Sequence, residues 1–256
     1  MFECDTFMNI AKVNGRFANK FIVNMCAHFI SKKYDLRFTY LILDEMEELG
    51  VYLNKGNQTF EDPKTILLLD ENFMEYVRET PNRNIKKNFE FWKYTYCQTR
   101  EFMCYIRDYF IDNRILETSV IPKNPYKDRY QNNNDVYIHV RLGDVSGLNP
   151  GYDYYSNILE KLDFKNGYIS SDNIEHSICE QLIINYGLIP IEENLVKTIQ
   201  YASTCKYIIL SNGTLSWLIG FFGLYSTVYY PKLKEKWHGD IYIFPHWIEI
   251  GEYDQN

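Results

Sequence analysis

The sequence of 256 residues predicts an α/β fold of two halves, each with a parallel sheet. In the second half, three apolar stretches each end in a polar turn that precedes a helix, at Arg141, Asp172 and Thr214. Residues 122–134 contain two prolines and three consecutive asparagines, a composition typical of a linker. We therefore expect an N-terminal domain over residues 1–125 and a C-terminal domain over residues 126–256.

The first half alternates helical and strand patterns. Apolar residues recur at helical spacing up to Ser31, and they predict an amphipathic helix that opens at Asn14 to Asn19. A glycine and polar residues at such a start leave backbone N–H groups available to an anion, although an ordinary cap is at least as good an interpretation. The further predictions are strands at 38–43 and 65–69, helices at 73–78 and 100–114, and a solvated basic run at 82–88.

The stretch from Asn134 to Asp144 organises the second half. Apolar β-branched residues alternate with Tyr137 and His139, which predicts a buried strand that ends where Arg141 begins a charged loop. His139 lies on the same face as Arg141, and a guanidinium can bind two phosphate oxygens at once. Taken alone, the same pattern fits a strand that closes with a surface ion pair, and we weigh that alternative more heavily.

The rest of the second half repeats the strand–turn–helix pattern. Asp172 follows a short strand at 167–170, and the Ser211–Thr214 turn follows an apolar strand at 207–210. Such a turn before a helix directs free amides and hydroxyls at a phosphate. Further helices are predicted at 153–162, 194–203 and 215–222, and another directly after Asp172. A last strand is predicted at 228–230, and Pro231 is expected to end it. The tail, which contains Trp237 and Trp247, is predicted to fold back on the first half.

Composition excludes several classes of function. A net charge of −7 and a pI near 5.3 argue against nucleic acid as a partner. Six scattered cysteines without a CxxC pair support neither a zinc site nor a disulfide framework, so we expect reduced thiols. We find no signal peptide, no apolar run of ~20 residues and hence no integral membrane segment, and we expect a cytoplasmic protein. The lack of GxGxxG, P-loop and Asp-x-Asp patterns disfavours dinucleotide enzymes, P-loop NTPases and metal-dependent sugar transferases.

Six segments, in this order, resemble those of the α-1,2-fucosyltransferase family, and together they span about residues 14–248. They are Gly15-Arg16-Phe17-Ala18-Asn19, Tyr96-Cys97-Gln98-Thr99-Arg100, His139-Val140-Arg141-Leu142-Gly143-Asp144 with Tyr154-Tyr155 downstream, Ser171-Asp172-Asn173, Cys205-Lys206 with Ser211 to Trp217, and the closing Pro231, Trp237, Pro245 and Trp247.

The resemblance implies a GT-B-like fold of two facing Rossmann-like domains, acceptor-side and donor-binding. It also implies inverting transfer of fucose from GDP-fucose to a hydroxyl of a glycan acceptor, without a metal or other cofactor. By resemblance, Arg141 holds the β-phosphate and stabilises the leaving diphosphate, and His139 assists at the ribose or phosphate. The other donor-site residues that it implies are Gly15, Arg16, Asn19, Asp172, Gly213, Thr214 and Ser216.

No catalytic base stands out from the sequence. Asp144 and Asp153 are the candidates to take the proton of the acceptor hydroxyl, and a structural role for Asp144 is an equal alternative.

The sequence also departs from the family pattern. Leu142 replaces a second arginine, Lys20 a glutamine and Asn173 a second aspartate, while Thr198 stands at a position associated with reading the guanine edge. Two alternatives therefore stay open. One is the same chemistry with another donor, such as a UDP-deoxysugar, and the other is a non-catalytic module that binds a nucleotide sugar or glycan.

Overall fold

The computed structural model describes residues 15–58, 64–80, 87–143, 146–232, 241–242 and 244–252. The chain separates into two compact units, Met1–Asn113 and Arg114–Asn256, which divide ahead of the expected 125/126 boundary. The described residues form an α/β structure with two parallel sheets, one of two strands and one of six. The predicted α/β class with two parallel sheets is confirmed.

The described part of unit 1 combines a parallel strand pair with four helices. Strand β1 pairs with β2 from Lys64↔Lys87 to Leu68↔Phe91. The elements are helices α1 (Phe17–Tyr34) and α2 (Leu43–Glu48), strand β1 (Lys64–Leu68), helix α3 (Phe73–Arg78), strand β2 (Lys87–Phe91) and helix α4 (Arg100–Asp112).

Helix α1 is the central element of unit 1. Its residues from Phe21 to Ser31 are all buried, so the helix is covered on every side rather than on one stripe. Phe29 meets the ring of Phe102 on α4 edge-on at 6.0 Å between centroids. Burying a side chain of this size stabilises the fold by about 1.5–3 kcal/mol. Asp35, in the left-handed conformation with φ 54°, ends the helix.

The predicted strand at residues 38–43 is wrong. Residues 38–40 are irregular, Ile42 has φ 47°, and α2 begins at Leu43. The carbonyl of Leu41 accepts a hydrogen bond from the Asn24 side chain instead of a neighbouring strand. A side chain on α1 thus takes the acceptor that a sheet would use, and it overrides the β propensity of this run.

The basic run at 82–88 was predicted to be solvated. The structure describes only its last two residues, and these are not fully solvated. Lys87 and Asn88 begin β2, and Asn88 is buried, whereas residues 82–86 lie outside the described residues. Lys87 forms an ion pair with Glu79 at 3.0 Å, so its charge has a partner at the start of the strand.

Residues 122–134 are not a linker but part of unit 2. A π-helical turn at 116–120, helix α5 (Ile121–Lys123) and a 3-10 turn at 127–129 carry the chain into the sheet. Buried Asn124 donates to the carbonyl of Gln200 at 2.8 Å. Arg129 donates to Asp135 at 2.9 Å and lies 4.3 Å from the ring centroid of Tyr201. These polar contacts fix a segment whose composition favoured flexibility.

Unit 2 is built on a six-stranded parallel sheet in the order β5-β4-β3-β6-β7-β8. Counted from the first strand of the unit, this is the 3-2-1-4-5-6 order of doubly wound nucleotide-binding sheets. The order reverses between β3 and β6. The elements are strand β3 (Val136–Val140), helix α6 (Tyr152–Leu159), strand β4 (Gly167–Ser171), helix α7 (Ser177–Tyr186), strand β5 (Ile189–Pro190), helix α8 (Leu195–Ala202), strand β6 (Tyr207–Ile209), helix α9 (Thr214–Phe222), and strands β7 (Thr227–Lys232) and β8 (Ile248–Glu252).

The two faces of β3 differ in chemistry. Val136, Ile138 and Val140 join an apolar cluster with residues of α6 and α7. Tyr137 and His139 point to the opposite face, since side chains alternate along a strand. All five residues of β3 are buried, as expected for the central strand of a sheet covered on both faces.

The last strands also differ from the prediction. Strand β7 continues through Pro231 to Lys232, with a bulge opposite β8 at that point. A bulge tolerates the missing N–H of proline, so Pro231 does not end the strand. Trp247 is buried beside Phe244, with 4.4 Å between ring centroids, and it leads into β8. The described tail thus completes the sheet of unit 2, and Trp237 lies outside the described residues.

Candidate functional site

The polar residues of interest in unit 2 follow the carboxyl ends of three adjacent strands. His139 and Arg141 end β3, Asp172 follows β4, and the turn from Ser211 to Thr214 follows β6. In an open parallel sheet, ligands bind beyond these ends where the strand order reverses, which here is the crevice between β3 and β6.

His139 is joined to the first turn of α9. Its Nδ1 lies 2.6 Å from the hydroxyl oxygen of Ser216, and the same oxygen accepts the amide N–H of Ser211 at 3.2 Å. Ser216 is fully buried and His139 is 3% exposed. Strand β3 and the start of α9 are thus connected by side chains across the point where the strand order reverses.

The imidazole of His139 is neutral at physiological pH. Burial, and then the nearby charge of Arg141, lower its pKa from 6.5 to about 3. A neutral ring offers one N–H donor and one lone pair. None of the described residues forms a hydrogen bond with Nε2.

Arg141 forms an ion pair with Asp172, so it is not turned out to solvent: its side chain is 14% exposed. The other carboxylate oxygen of Asp172 accepts the amide N–H groups of Leu142 at 2.8 Å and Gly143 at 3.1 Å. One carboxylate therefore holds both the guanidinium and the backbone of the loop that carries it. Asp172 was predicted to contact the donor, and the structure places it against Arg141.

Gly143 and Asn149 make further close contacts in the loop after β3. A Cβ at position 143 would meet the carboxylate of Asp172, so the loop approaches Asp172 as closely as only glycine allows. Asn149 donates to the carbonyl of Arg141 at 2.9 Å. Asp144, a predicted base, lies outside the described residues.

The turn after β6 has the backbone that a phosphate site uses. Gly213 has φ 109°, a value that favours glycine, and Thr214 is the first residue of α9. Tyr242 donates to the carbonyl of Ser211 at 2.8 Å, with the carbonyl of Gly213 at 3.1 Å. Gly213, the residue before α9, has no side chain with which to cap the helix. The N–H groups and the dipole at the start of a helix favour an anion.

The predicted site residues of unit 1 lie at the start of α1. Gly15 has φ 114°, and a Cβ there would meet the side chain of Asn19. Arg16 precedes the helix, and Asn19 in its first turn accepts a hydrogen bond from Gln98 at 3.0 Å. Residues 15–19 and 96–100, two of the segments that carry the resemblance, thus meet within unit 1.

Asp70 supports the second of these segments. Its carboxylate accepts the amides of Tyr96 at 3.0 Å and Cys97 at 2.7 Å, and Cys97 has φ 56°. Neither this residue nor Asn149 nor Tyr242 was predicted from the sequence. The Asp at the end of β1 was a recognisable signal, because polar residues at the carboxyl ends of parallel strands often serve sites.

The described residues contain no cluster of three or more His, Cys, Asp or Glu side chains that could hold a metal ion. Nor is any helix among them long and apolar enough to cross a membrane.

In comparisons with known proteins, no family model, curated protein or solved structure matches the chain.

Proposed function

We propose that the chain is an inverting glycosyltransferase of GT-B-like architecture. It transfers a deoxysugar, most simply fucose from GDP-fucose, to a hydroxyl of a glycan acceptor. The observation that carries the proposal is the 3-2-1-4-5-6 sheet with His139, Arg141 and the Gly213 turn at its point of reversal. Nucleotides bind at that point in sheets of this order.

The chemistry at this point suits a nucleoside diphosphate. The amides at the start of α9 and the guanidinium of Arg141 both attract phosphate oxygens. Negative charge develops on the diphosphate as the glycosyl bond breaks, so a fixed cation there lowers the barrier. Asp172 holds Arg141, and a diphosphate would compete with this carboxylate for the guanidinium.

Unit 1 supports the same proposal through the Asn19–Gln98 hydrogen bond. Residues 15–19 and 96–100 are 79 positions apart at this bond, yet they form one polar start to helix α1. We assign unit 1 as a whole to the acceptor-side domain, and the assignment rests on the resemblance of both segments.

The proton of the acceptor hydroxyl needs a base other than His139. An imidazole whose pKa is about 3 is too weak a base for this step. Asp153, exposed in the first turn of α6, and Asp144 are the candidates that we propose.

A second candidate is the same chemistry with another nucleotide base, such as a UDP-sugar. Leu142 stands where the family pattern has a second arginine, and it is 2% exposed in the apolar cluster below β3. Thr198 is buried on α8, with its hydroxyl near the carbonyl of Glu193 at 3.3 Å. At both positions, a GDP site would lack the polar contact that the resemblance implies.

Thermal unfolding of the full chain with GDP, UDP, GDP-fucose and UDP-sugars tests the proposal. A ligand at 100 times its Kd stabilises a protein by about 2.7 kcal/mol. We expect the largest rise in Tm with GDP and GDP-fucose, and release of GDP on adding a glycan acceptor. A shift with UDP alone would select the second candidate, and no shift with any nucleotide would refute both.

A further inference from the structure

The hydroxyl of Ser216 has two partners in the described structure, and they are not equivalent. The amide of Ser211 can only donate, so it occupies a lone pair of the hydroxyl oxygen. The hydroxyl hydrogen then has one acceptor among these partners, the Nδ1 lone pair of His139 at 2.6 Å. Both side chains are buried, and a hydrogen directed elsewhere would be buried without an acceptor. Ser216 therefore donates to Nδ1.

This direction fixes the tautomer of His139. A neutral imidazole that accepts at Nδ1 carries its proton on Nε2. None of the described residues bonds to Nε2, and Arg141 lies near the same ring. The ring thus offers a neutral N–H donor at the crevice between β3 and β6.

We propose that Ser216 is a positioning residue that holds His139 with its Nε2–H available to donate to a diphosphate oxygen of the bound nucleotide. The identity of the ligand rests on the proposed function, whereas the tautomer does not. A phosphate oxygen accepts such a hydrogen bond more strongly than a neutral oxygen does, and an ammonium group cannot accept one, so the pair favours an anionic ligand over a cationic one. Ser216 acts through His139 and not as a phosphate ligand itself.

The tautomer is measured by NMR of the histidine ring nitrogens in the full chain without ligand. His139 is assigned with His139→Phe, and His28 is an internal reference, because its Nδ1 accepts the amide of Asn54 at 2.8 Å. We expect an unprotonated Nδ1 and a protonated Nε2 in wild-type His139. A proton on Nδ1 would overturn the inference, and this result needs no Ser216 variant.

Nucleotide binding gives a second readout. Ser216→Ala is expected to weaken GDP binding about tenfold and to mix the two tautomers, and Ser216→Thr to restore both. Ser226→Ala is the matched control, since this buried serine donates to the carbonyl of Cys205 before β6 begins, at the opposite end of the strands.

The two arms separate the possible failures. A folded Ser216→Ala variant that binds GDP as tightly as the wild type would overturn the positioning role. If the wild type binds neither GDP nor pyrophosphate, the proposed function fails, while the ring-nitrogen spectrum still decides the tautomer.

Discussion

Among the described residues, each unit buries one histidine, and the two differ in their hydrogen bonds. His28 on α1 has both ring nitrogens engaged, Nδ1 by the amide of Asn54 at 2.8 Å and Nε2 by the hydroxyl of Tyr109 at 2.9 Å. His139 on β3 has Nδ1 engaged by Ser216, and no described residue meets Nε2. A buried polar group that only supports a fold is normally satisfied on all sides. The comparison supports a structural role for His28 and the proposal that His139 binds a ligand.

The sheets of the two units also differ, in the order of their strands. The strand pair β1–β2 stabilises unit 1 together with α1, whereas the six-stranded sheet of unit 2 contains a reversal of strand order. A reversal sends the connections on either side of it to opposite faces of the sheet, and so leaves a crevice at the carboxyl ends. Topology therefore explains why the polar side chains of unit 2 gather in one place.

The largest expected effect is the loss of GDP affinity in Arg141→Ala. Losing a charge-assisted bond to phosphate removes about 1.5–3 kcal/mol, which weakens GDP binding roughly 10- to 100-fold. Isothermal titration measures the affinity. Arg107→Ala is the matched control, since Arg107 on α4 also pairs with an aspartate, Asp108 at 2.7 Å. Equal affinity in the two variants would refute the assignment of Arg141.

Replacing each histidine by phenylalanine tests the comparison directly. His28→Phe leaves the partly buried amide of Asn54 and hydroxyl of Tyr109 without their partner, so we expect a loss of about 1–3 kcal/mol in total and unchanged GDP affinity. His139→Phe should weaken GDP binding about tenfold. Urea unfolding of both variants measures the loss of stability, and isothermal titration with GDP measures the affinity. If His139→Phe bound GDP as tightly as the wild type, neither histidine would contribute to binding, and the proposed difference between them would be refuted.

Asp172 separates two explanations for the ion pair with Arg141. If the carboxylate anchors the loop of residues 141–143, Asp172→Ala disorders that loop and weakens GDP binding about tenfold, whereas Asp172→Asn keeps an acceptor for the amides of Leu142 and Gly143 and retains most of the affinity. The same titration compares both variants. Tighter binding by Asp172→Ala would show that the carboxylate only competes with the phosphate.

Acid should destabilise both units through their histidines. Burial lowers the pKa of His28 to about 4, with a further contribution from Lys32, and that of His139 to about 3. Unfolded histidine, with a pKa of 6.5, binds a proton first, so the stability is highest above pH 6.5 and falls as the pH drops, until the folded rings also bind protons near pH 4 for His28 and pH 3 for His139.

The expected slope is about 1.4 kcal/mol per pH unit for each histidine between pH 6 and 4. Urea unfolding from pH 7 to 4 measures it, and each phenylalanine variant should lose its share. A slope that persists undiminished in both variants would contradict the account of buried neutral rings.

The smallest effect expected is at the start of α1. Gly15→Ala forces a side chain into φ 114° and against Asn19, so we expect a loss of about 1 kcal/mol or more in stability. Thermal unfolding checks this value, with Gly251→Ala as control, because a Cβ there meets nothing within 4 Å. No difference between the two would mean that the start of α1 relaxes freely.

The sequence predicted those parts of the molecule that local pattern determines. Strand β3 alternates and is bounded by polar residues, so its limits and the position of Arg141 follow from the residues alone. Residues 38–43 carry an equally strong β pattern, but Asn24 on α1 takes the carbonyl of Leu41. The asparagine-rich segment at 122–134 was similarly misjudged, because its partners lie on α8 and before β3.

The partners within the candidate site could not be predicted for the same reason. Ser216 lies 77 positions from His139, and Asp172 lies 30 positions from Leu142. Their pairing depends on the register of β3, β4 and β6, which no local pattern specifies. The sequence placed His139 and Asp172 at the ends of strands and Ser216 at the start of a helix, and the fold then determined which of them are in contact.

The most direct test is a crystal structure of the full chain with bound GDP. The account predicts the diphosphate in the crevice between β3 and β6, with phosphate oxygens within hydrogen-bonding distance of the Arg141 guanidinium and Nε2 of His139, close to the start of α9. GDP bound elsewhere, or bound there without a contact to Arg141, would contradict it.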